Sequence, residues 1–205
     1  GLSPFLILAT DSVIMIVMNT VLQKTGGTSA DMLIAAATIV QSYMMLITGP
    51  LGGISGGTQA IISFNYGAQD IPSLKKLIKI SLVFIFFNSI LWFALSMILK
   101  LPIIGIFAEQ GGTVWQITNS GWHLFALNFL IAGFNIFASS MFTAFSNGLI
   151  SALISFLRTF GFLAASILPI FIDIDGIWLS VTVAEAATLI VSVICFIRGK
   201  KRYKY

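Results

Sequence analysis

Long apolar stretches separated by short polar segments run through the whole chain. About five or six of these stretches exceed roughly 18 residues, the length at which an α-helix crosses the hydrocarbon core of a bilayer. The apolar runs are continuous rather than alternating, which disfavours a transmembrane β-barrel. Because only helices and closed barrels satisfy their backbone groups in lipid, the pattern predicts an all-α integral membrane protein.

Turn signals divide this pattern into six predicted transmembrane helices. The clearest signals are the segments 24–27 and 67–70 and the pair Asn147-Gly148. No polar stretch is long enough to fold as a separate domain. The predicted helices cover residues 2–22, 32–66, 73–99, 114–145, 149–171 and 177–197, and a basic cytoplasmic tail covers 198–205.

The second predicted helix is long and carries a glycine-rich interruption. At about 1.5 Å per residue it exceeds the thickness of the hydrocarbon core, so it must tilt, bend or project into water. Its middle contains Gly49, Pro50, Gly52 and Gly53. Proline removes a backbone donor and glycine lowers the cost of bending, so these residues are predicted to form a hinge.

Composition agrees with the hydropathy pattern and argues against an enzyme. Of the 205 residues, 58% are hydrophobic and 9% are charged, against about 25% charged residues in an average soluble domain. The glycine-rich segment lacks the Lys-Ser/Thr of a phosphate-binding loop, and HExxH does not occur. A single cysteine and a single histidine cannot form a metal site of the His/Cys type. We therefore predict no enzymatic activity and no cofactor.

The basic residues are concentrated on one side of the predicted membrane. If the C-terminus lies inside, Lys24 and Lys100 flank the outer surface and most of the other bases flank the inner surface. This bias predicts a multi-pass protein of the plasma membrane with a cytoplasmic C-terminus, and it disfavours nucleic-acid binding. Trp178 then fits an aromatic belt near the outer surface. The inner flanks contain Lys75, Lys76, Lys79, Arg198, Lys200, Lys201, Arg202 and Lys204.

Three charged residues, Asp11, Arg158 and Glu185, lie inside predicted spans. Each costs about 2.5–3.5 kcal/mol at the centre of a membrane helix, so such residues are functional candidates. Asp11 must be protonated, paired or exposed to a wet cavity, which suits coupling to H⁺ or Na⁺. Arg158 pairs with Asp11 or Glu185, or else extends to the inner interface. Glu185 either pairs with Arg158 or takes part in transport.

Several uncharged residues within the predicted spans are also candidates. Amide side chains there either form hydrogen bonds between helices or line a substrate cavity, and methionine provides an adaptable apolar wall. Both interpretations stay open from the residues alone. Together with Arg158 and Glu185, the candidates for lining a cavity are Gln41, Met44, Gln59, Asn128 and Asn135.

Three segments resemble the multidrug and toxic compound extrusion (MATE) family. The most specific is PLGGISGGTQAIISFNYGAQ at residues 50–69, which is followed by a basic cluster. MFTAFSNG at residues 141–148 is similar to the junction of the tenth and eleventh helices of that family, and GLSP at residues 1–4 to the start of the seventh. The resemblance implies twelve helices in two six-helix lobes. It implies that this chain is the second lobe and that its partner, the N-terminal lobe, is missing from this sequence.

The resemblance also implies a function. Such transporters export cationic and amphipathic drugs in exchange for H⁺ or Na⁺ by alternating access of the two lobes. It assigns to Asp11 the binding of the coupling cation, with Na⁺ possible there. Some members carry a further acid early on the tenth helix, but the matching stretch near Ala132 has none, and Asn128 and Asn135 are its nearest polar groups.

Two other functions stay open at this point. The first is a flippase for a lipid-linked oligosaccharide, which would need a basic cavity for the pyrophosphate, whereas Arg158 alone offers buried positive charge. The second is a structural membrane subunit, which would have no need of the charged residues at Asp11, Arg158 and Glu185.

Overall fold

The computed structural model describes residues 12, 16–24, 26–165 and 175–205. These residues form helices and short connections without a strand among them, which confirms the predicted all-α fold class. The helices are α1 at residues 16–24, α2 at Ala30–Gly67, α3 at Ile71–Phe107, α4 at Thr113–Ala126, α5 at Phe129–Ala144, α6 at Gly148–Ala165 and α7 at Asp175–Tyr203, and a short 3-10 helix at Gly27–Ser29 precedes α2.

Three of the described helices, α2, α3 and α7, are long and apolar enough to cross a membrane. The bent pair α4 and α5 adds a fourth span if it is counted as one. A shorter apolar helix covers Gly148–Gly161. The beginning of the first predicted helix and the end of the fifth lie outside the described residues, so the number of six spans stays a prediction.

Two helices extend beyond the limits that hydropathy suggested. α3 continues through Pro102 to Phe107 rather than ending at residue 99. α7 continues to Tyr203, so most of the predicted tail is helical. Lys200, Lys201 and Arg202 lie in the last turn of α7, where positive charge is favourable beside the negative end of the helix dipole.

The prediction of one continuous helix at residues 114–145 is wrong, because the chain bends by 49° between α4 and α5. At the bend the amide of Asn128 donates to the carbonyl of Phe125, three residues earlier, at 3.0 Å. This leaves the carbonyl of Leu124 without its usual amide donor. The hydroxyl of Thr182 on α7 donates to that carbonyl at 2.9 Å, so a side chain from another helix stabilises the break.

α5 is the central helix of the lobe and contacts α2, α3, α6 and α7. Its ends belong to two hydrophobic clusters. Phe129 packs with Trp122 and Trp178 in the first cluster, and Phe137 packs with Tyr203 in the second. The polar residues on the middle of α5 therefore lie between two apolar layers.

Trp178 does not belong to an aromatic belt, in contrast to the expectation from sequence. Its side chain is fully buried and packs on the backbone of Gly121, where an added Cβ would overlap the indole ring. This close contact joins α4 to α7. The ring is therefore part of the hydrophobic core.

The glycine-rich segment of α2 continues as helix through Pro50. A Cβ at Gly49, Gly52 or Gly53 would have no neighbour within 4 Å. These glycines are therefore not needed for close packing within the lobe. Their role as a hinge stays a prediction.

The turns α2–α3 and α5–α6 lie at the same end of the lobe and share one geometry. Gln69 and Ser146 adopt left-handed backbone conformations, with φ of 57° and 58°. The amides of Asp70 and Asn147 donate back to carbonyls five residues earlier, at 3.0 and 2.9 Å, which caps the preceding helices. Asn147 then caps α6, because its Oδ1 accepts the amide of Ile150 at 3.2 Å.

Candidate functional site

A carboxylate, a guanidinium and an amide from three helices meet in the interior of the lobe. Glu185 of α7 accepts from Arg158 of α6: Oε1 lies 2.7 Å from Nε and 2.7 Å from Nη2. The side-chain amide of Asn135 on α5 donates to Glu185 Oε2 at 2.6 Å and to the backbone carbonyl of Glu185 at 2.9 Å. We call Asn135, Arg158 and Glu185 the polar triad.

The triad is buried in apolar surroundings. The side chain of Glu185 is 7% exposed and that of Arg158 is 20% exposed, while Asn135 is fully buried. Along α5, Asn135 lies between Phe129 and Phe137, which belong to the two hydrophobic clusters. Charges in such a place require close partners, because desolvation is costly.

The hydrogen bonds of the triad fit a Glu185 side chain in its ionised form, since donors face both of its oxygens. Both carboxylate oxygens accept hydrogen bonds, and the positive charge of Arg158 lies directly against one of them. The Oδ1 atom of Asn135 is buried and has no hydrogen-bond partner among the described residues. The triad thus contains one acceptor that can still bind a proton donor, a water molecule or a cation.

The structure resolves one alternative that the sequence left open. Arg158 contacts Glu185, one of the two acidic partners considered for it. Asp11, the residue assigned to the coupling cation, lies outside the described residues. Among the described residues, no three His, Cys, Asp or Glu side chains gather into a group that would hold a metal ion.

The other predicted cavity residues do not join the triad. Gln41 is buried and its amide lies 3.0 Å from the sulfur of Met18. Asn128 is buried at the α4–α5 bend, 3.9 Å from the sulfur of Met44. Gln59 is half-buried on α2. The structure therefore distributes these side chains along the lobe, and their role in lining a substrate cavity stays a prediction.

A hydroxyl network that was not predicted from the sequence joins α5 and α6. Ser139 lies 3.0 Å from both Ser151 and Ser155, and Thr143 lies 2.6 Å from Ser151, measured between side-chain oxygens. The available signal was spacing, since residues four apart share one helix face and these four residues form two such pairs. The network joins α5 to α6 on the side of the lobe that carries the basic residues.

This fold is similar to that of known membrane transporters. The family model MatE matches residues 5–167, and a search of curated proteins finds no match. One similar solved structure is the outward-facing conformation of a multidrug resistance MATE family transporter of the MOP superfamily, with a TM-score of 0.84 and 19% identity. An inward-facing conformation of such a transporter gives a TM-score of 0.81 and 19% identity.

A third solved structure is a MOP superfamily transporter from Pyrococcus furiosus whose binding pocket has reverse polarity, with a TM-score of 0.83 and 18% identity. Each of the three alignments covers all of this chain and 45%, 46% and 45% of the solved chain, respectively. This chain thus spans about half the length of the transporters that it matches, the extent of one lobe. The chain belongs to the MatE family of multidrug and toxic compound extrusion transporters.

Proposed function

We propose that the complete protein is a secondary active transporter that exports cationic or amphipathic drugs in exchange for H⁺ or Na⁺. The observation that carries this proposal is the polar triad, which places an ionisable carboxylate in the middle of an apolar lobe. Membrane proteins bear the cost of such groups mainly on ion and substrate pathways. Membership of the MatE family supports transport over catalysis.

The proposed coupling residue is Asp11, with the triad as the buried polar centre of the same lobe. Binding of a cation to Asp11 neutralises its charge, which lowers the cost of closing the lobe interface around it. Release of the cation on the other side restores the charge and favours the opposite state. Drug and cation then occupy the interface in turn, and this alternation couples export to the cation gradient.

Alternating access requires the two lobes to move relative to each other. The chain matches an outward-facing and an inward-facing transporter with similar TM-scores, 0.84 and 0.81. This similarity is consistent with a lobe that keeps its fold while the interface opens and closes. The other lobe and the lipid bilayer are therefore the proposed partners, and the plasma membrane with a cytoplasmic C-terminus is the proposed location.

The flippase alternative finds less support in the structure. A pyrophosphate site needs buried positive charge that is free to bind the ligand. Arg158 is the base near the middle of a predicted span, and the carboxylate of Glu185 neutralises it at 2.7 Å. The described interior therefore carries no uncompensated cation for a lipid-linked pyrophosphate.

Drug accumulation in cells that express the complete protein tests this proposal. Asp11→Asn should abolish efflux of a cationic dye, because the residue can no longer change its charge. Asp31→Asn is the matched control, since Asp31 is an exposed carboxylate in the first turn of α2. Undiminished efflux by a normally expressed Asp11→Asn variant would remove Asp11 from the mechanism.

A further inference from the structure

A cleft opens at the basic end of the lobe, away from the polar triad. Its volume is about 490 Å³, and it lies where the C-termini of α2, α5 and α7 meet the N-terminus of α6. Sites for small ligands typically occupy about 300–1,000 Å³. The described residues that line the cleft are Tyr66, Phe145, Ser146, Asn147, Leu149, Ile150, Arg202 and Tyr203.

Several polar groups of this cleft can donate hydrogen bonds. Arg202 contributes an exposed guanidinium, and Ser146 an exposed hydroxyl. The hydroxyl of Tyr203 accepts from Asn147 at 2.7 Å, which leaves its own proton free to donate. The amide of Leu149 lies in the first turn of α6, where backbone N–H groups have no acceptor in their own helix. None of the described lining residues is acidic, so the cleft favours an anion.

Aromatic rings give the cleft a rigid apolar wall. Phe145 and Tyr203 stack with their ring centroids 4.3 Å apart, and Tyr66 packs edge-on against Phe145 at 5.0 Å. The guanidinium of Arg202 lies 5.7 Å from the centroid of the Tyr203 ring, which holds the positive charge beside this wall. An anion that binds here therefore contacts apolar surface as well as donors, which suits an amphiphile better than a free ion.

The depth of the cleft matches the headgroup layer of a bilayer. On α7 the exposed apolar side chains end at Ile197, and Arg202 follows five residues later, at about 7.5 Å along the helix axis. The headgroup regions add about 5–7 Å to each side of the hydrocarbon core. On α3 the exposed apolar face similarly begins at Ile80, directly after Lys79. Arg202 therefore lies at the level of lipid phosphates.

The cleft also opens toward the acyl chains of the bilayer. Leu149 is 78% exposed and begins an apolar face of α6 that continues through Leu153, Phe156 and Phe160. A lipid whose phosphate meets Arg202 can lay its chains along this face. We propose that the cleft is a binding site for an anionic phospholipid, with the phosphate at Arg202 and the α6 N-terminus and the glycerol backbone against the aromatic wall. None of the polar triad residues lines this cleft.

Lipid retention by the complete transporter tests the proposed site. The purified protein is titrated with phosphatidylglycerol in detergent, and bound lipids are counted by native mass spectrometry. Arg202→Gln should lower the affinity for the most tightly bound phosphatidylglycerol roughly tenfold, because a charge-assisted hydrogen bond is lost. Lys201→Gln is the matched control, since it removes the same charge from an exposed position of the same helix turn without touching the cleft.

Three results would overturn the proposal. The first is an equal loss in the two variants, which would show a general effect of charge. The second is complete displacement of the lipid by millimolar inorganic phosphate, which would assign the cleft to a free anion. The third is an unexpected labelling pattern with photoreactive phosphatidylglycerol on the unmodified protein. This reagent should label peptides that contain Leu149, Ile150 or Tyr203. Labelling confined to other peptides would contradict the site even if Arg202→Gln failed to fold.

Discussion

Both carboxylate oxygens of Glu185 have a partner, so single and double substitutions in the triad have different consequences. Glu185→Gln leaves Arg158 without its counter-charge in a site where the guanidinium is only 20% exposed. Breaking a buried ion pair costs about 3–5 kcal/mol, and partial exposure places this case near the lower end. We expect the single variant to lower the thermal midpoint of the complete protein in detergent by several degrees.

The double variant Glu185→Gln with Arg158→Gln should recover most of that loss, because it removes both charges together. A thermodynamic cycle over the two singles and the double measures the coupling between the residues. Additive losses would contradict the pairing. The control is the same cycle with Lys75→Gln instead of Arg158→Gln. It should show no coupling to Glu185→Gln, since Lys75 is exposed near the start of α3.

The sequence identified Glu185 and Arg158 as candidates but left their pairing open. Hydropathy locates a charge within a span, whereas the choice of partner depends on how α6 and α7 pack and rotate. The contribution of Asn135 was harder still to foresee, because its amide spans the side chain and the backbone of Glu185. Such geometry depends on three helices that are distant in sequence.

The bend between α4 and α5 has a cause that lies elsewhere in the chain. Residues Leu127 and Asn128 include neither proline nor glycine, the usual causes of a sharp kink. The donor that stabilises the free carbonyl of Leu124 is Thr182, more than fifty residues later. A continuous apolar pattern therefore predicted one helix, and tertiary contact divided it.

Thr182→Val tests this explanation of the bend. Valine keeps the shape of threonine but leaves the carbonyl of Leu124 without its donor, at a cost of about 1–2 kcal/mol. We expect a lower thermal midpoint for the complete protein. Thr38→Val is the control, because Thr38 is exposed and its hydroxyl bonds a carbonyl of its own helix, at Ile34. Equal effects of the two substitutions would contradict the role of Thr182.

The contact between α4 and α7 depends on the absence of a side chain at Gly121. Gly121→Ala places a methyl group against the buried ring of Trp178, and overpacking of this kind costs about 1–3 kcal/mol. Gly105→Ala in α3 is the control, since its Cβ would meet open space, and there alanine should be neutral or stabilising. If Gly121→Ala matched the stability of the control, the close packing of Trp178 would be refuted.

At the scale of the whole molecule, α2 and α3 differ in the surface that they expose. α3 exposes large side chains such as Phe84, Phe86 and Phe87, which suits contact with lipid. α2 exposes Gly49, Gly53 and Gly56 on a face without neighbours in this chain. Hydropathy identified both helices as apolar but did not distinguish these surfaces, because the difference concerns side-chain size and what the fold leaves uncovered.

The orientation of the lobe is a prediction for the complete protein in its membrane. In a background from which Cys195 and any other cysteine of the complete protein are removed, Lys200→Cys should react with a membrane-impermeant maleimide only after the cells are opened. A cysteine at Lys24 should react in intact cells. The reason is the concentration of basic residues at the end of the lobe where α7 terminates. The reverse labelling pattern would place the C-terminus outside and contradict the proposed orientation.

Transport driven by a cation gradient is the central claim, and reconstitution measures it directly. The complete protein is placed in liposomes, a cationic fluorescent dye is supplied, and a pH gradient or a Na⁺ gradient is imposed separately. We predict that either the pH gradient or the Na⁺ gradient drives the dye against its own concentration gradient. Collapse of the driving cation gradient should stop this movement. Dye movement that is the same with and without both gradients would contradict the account.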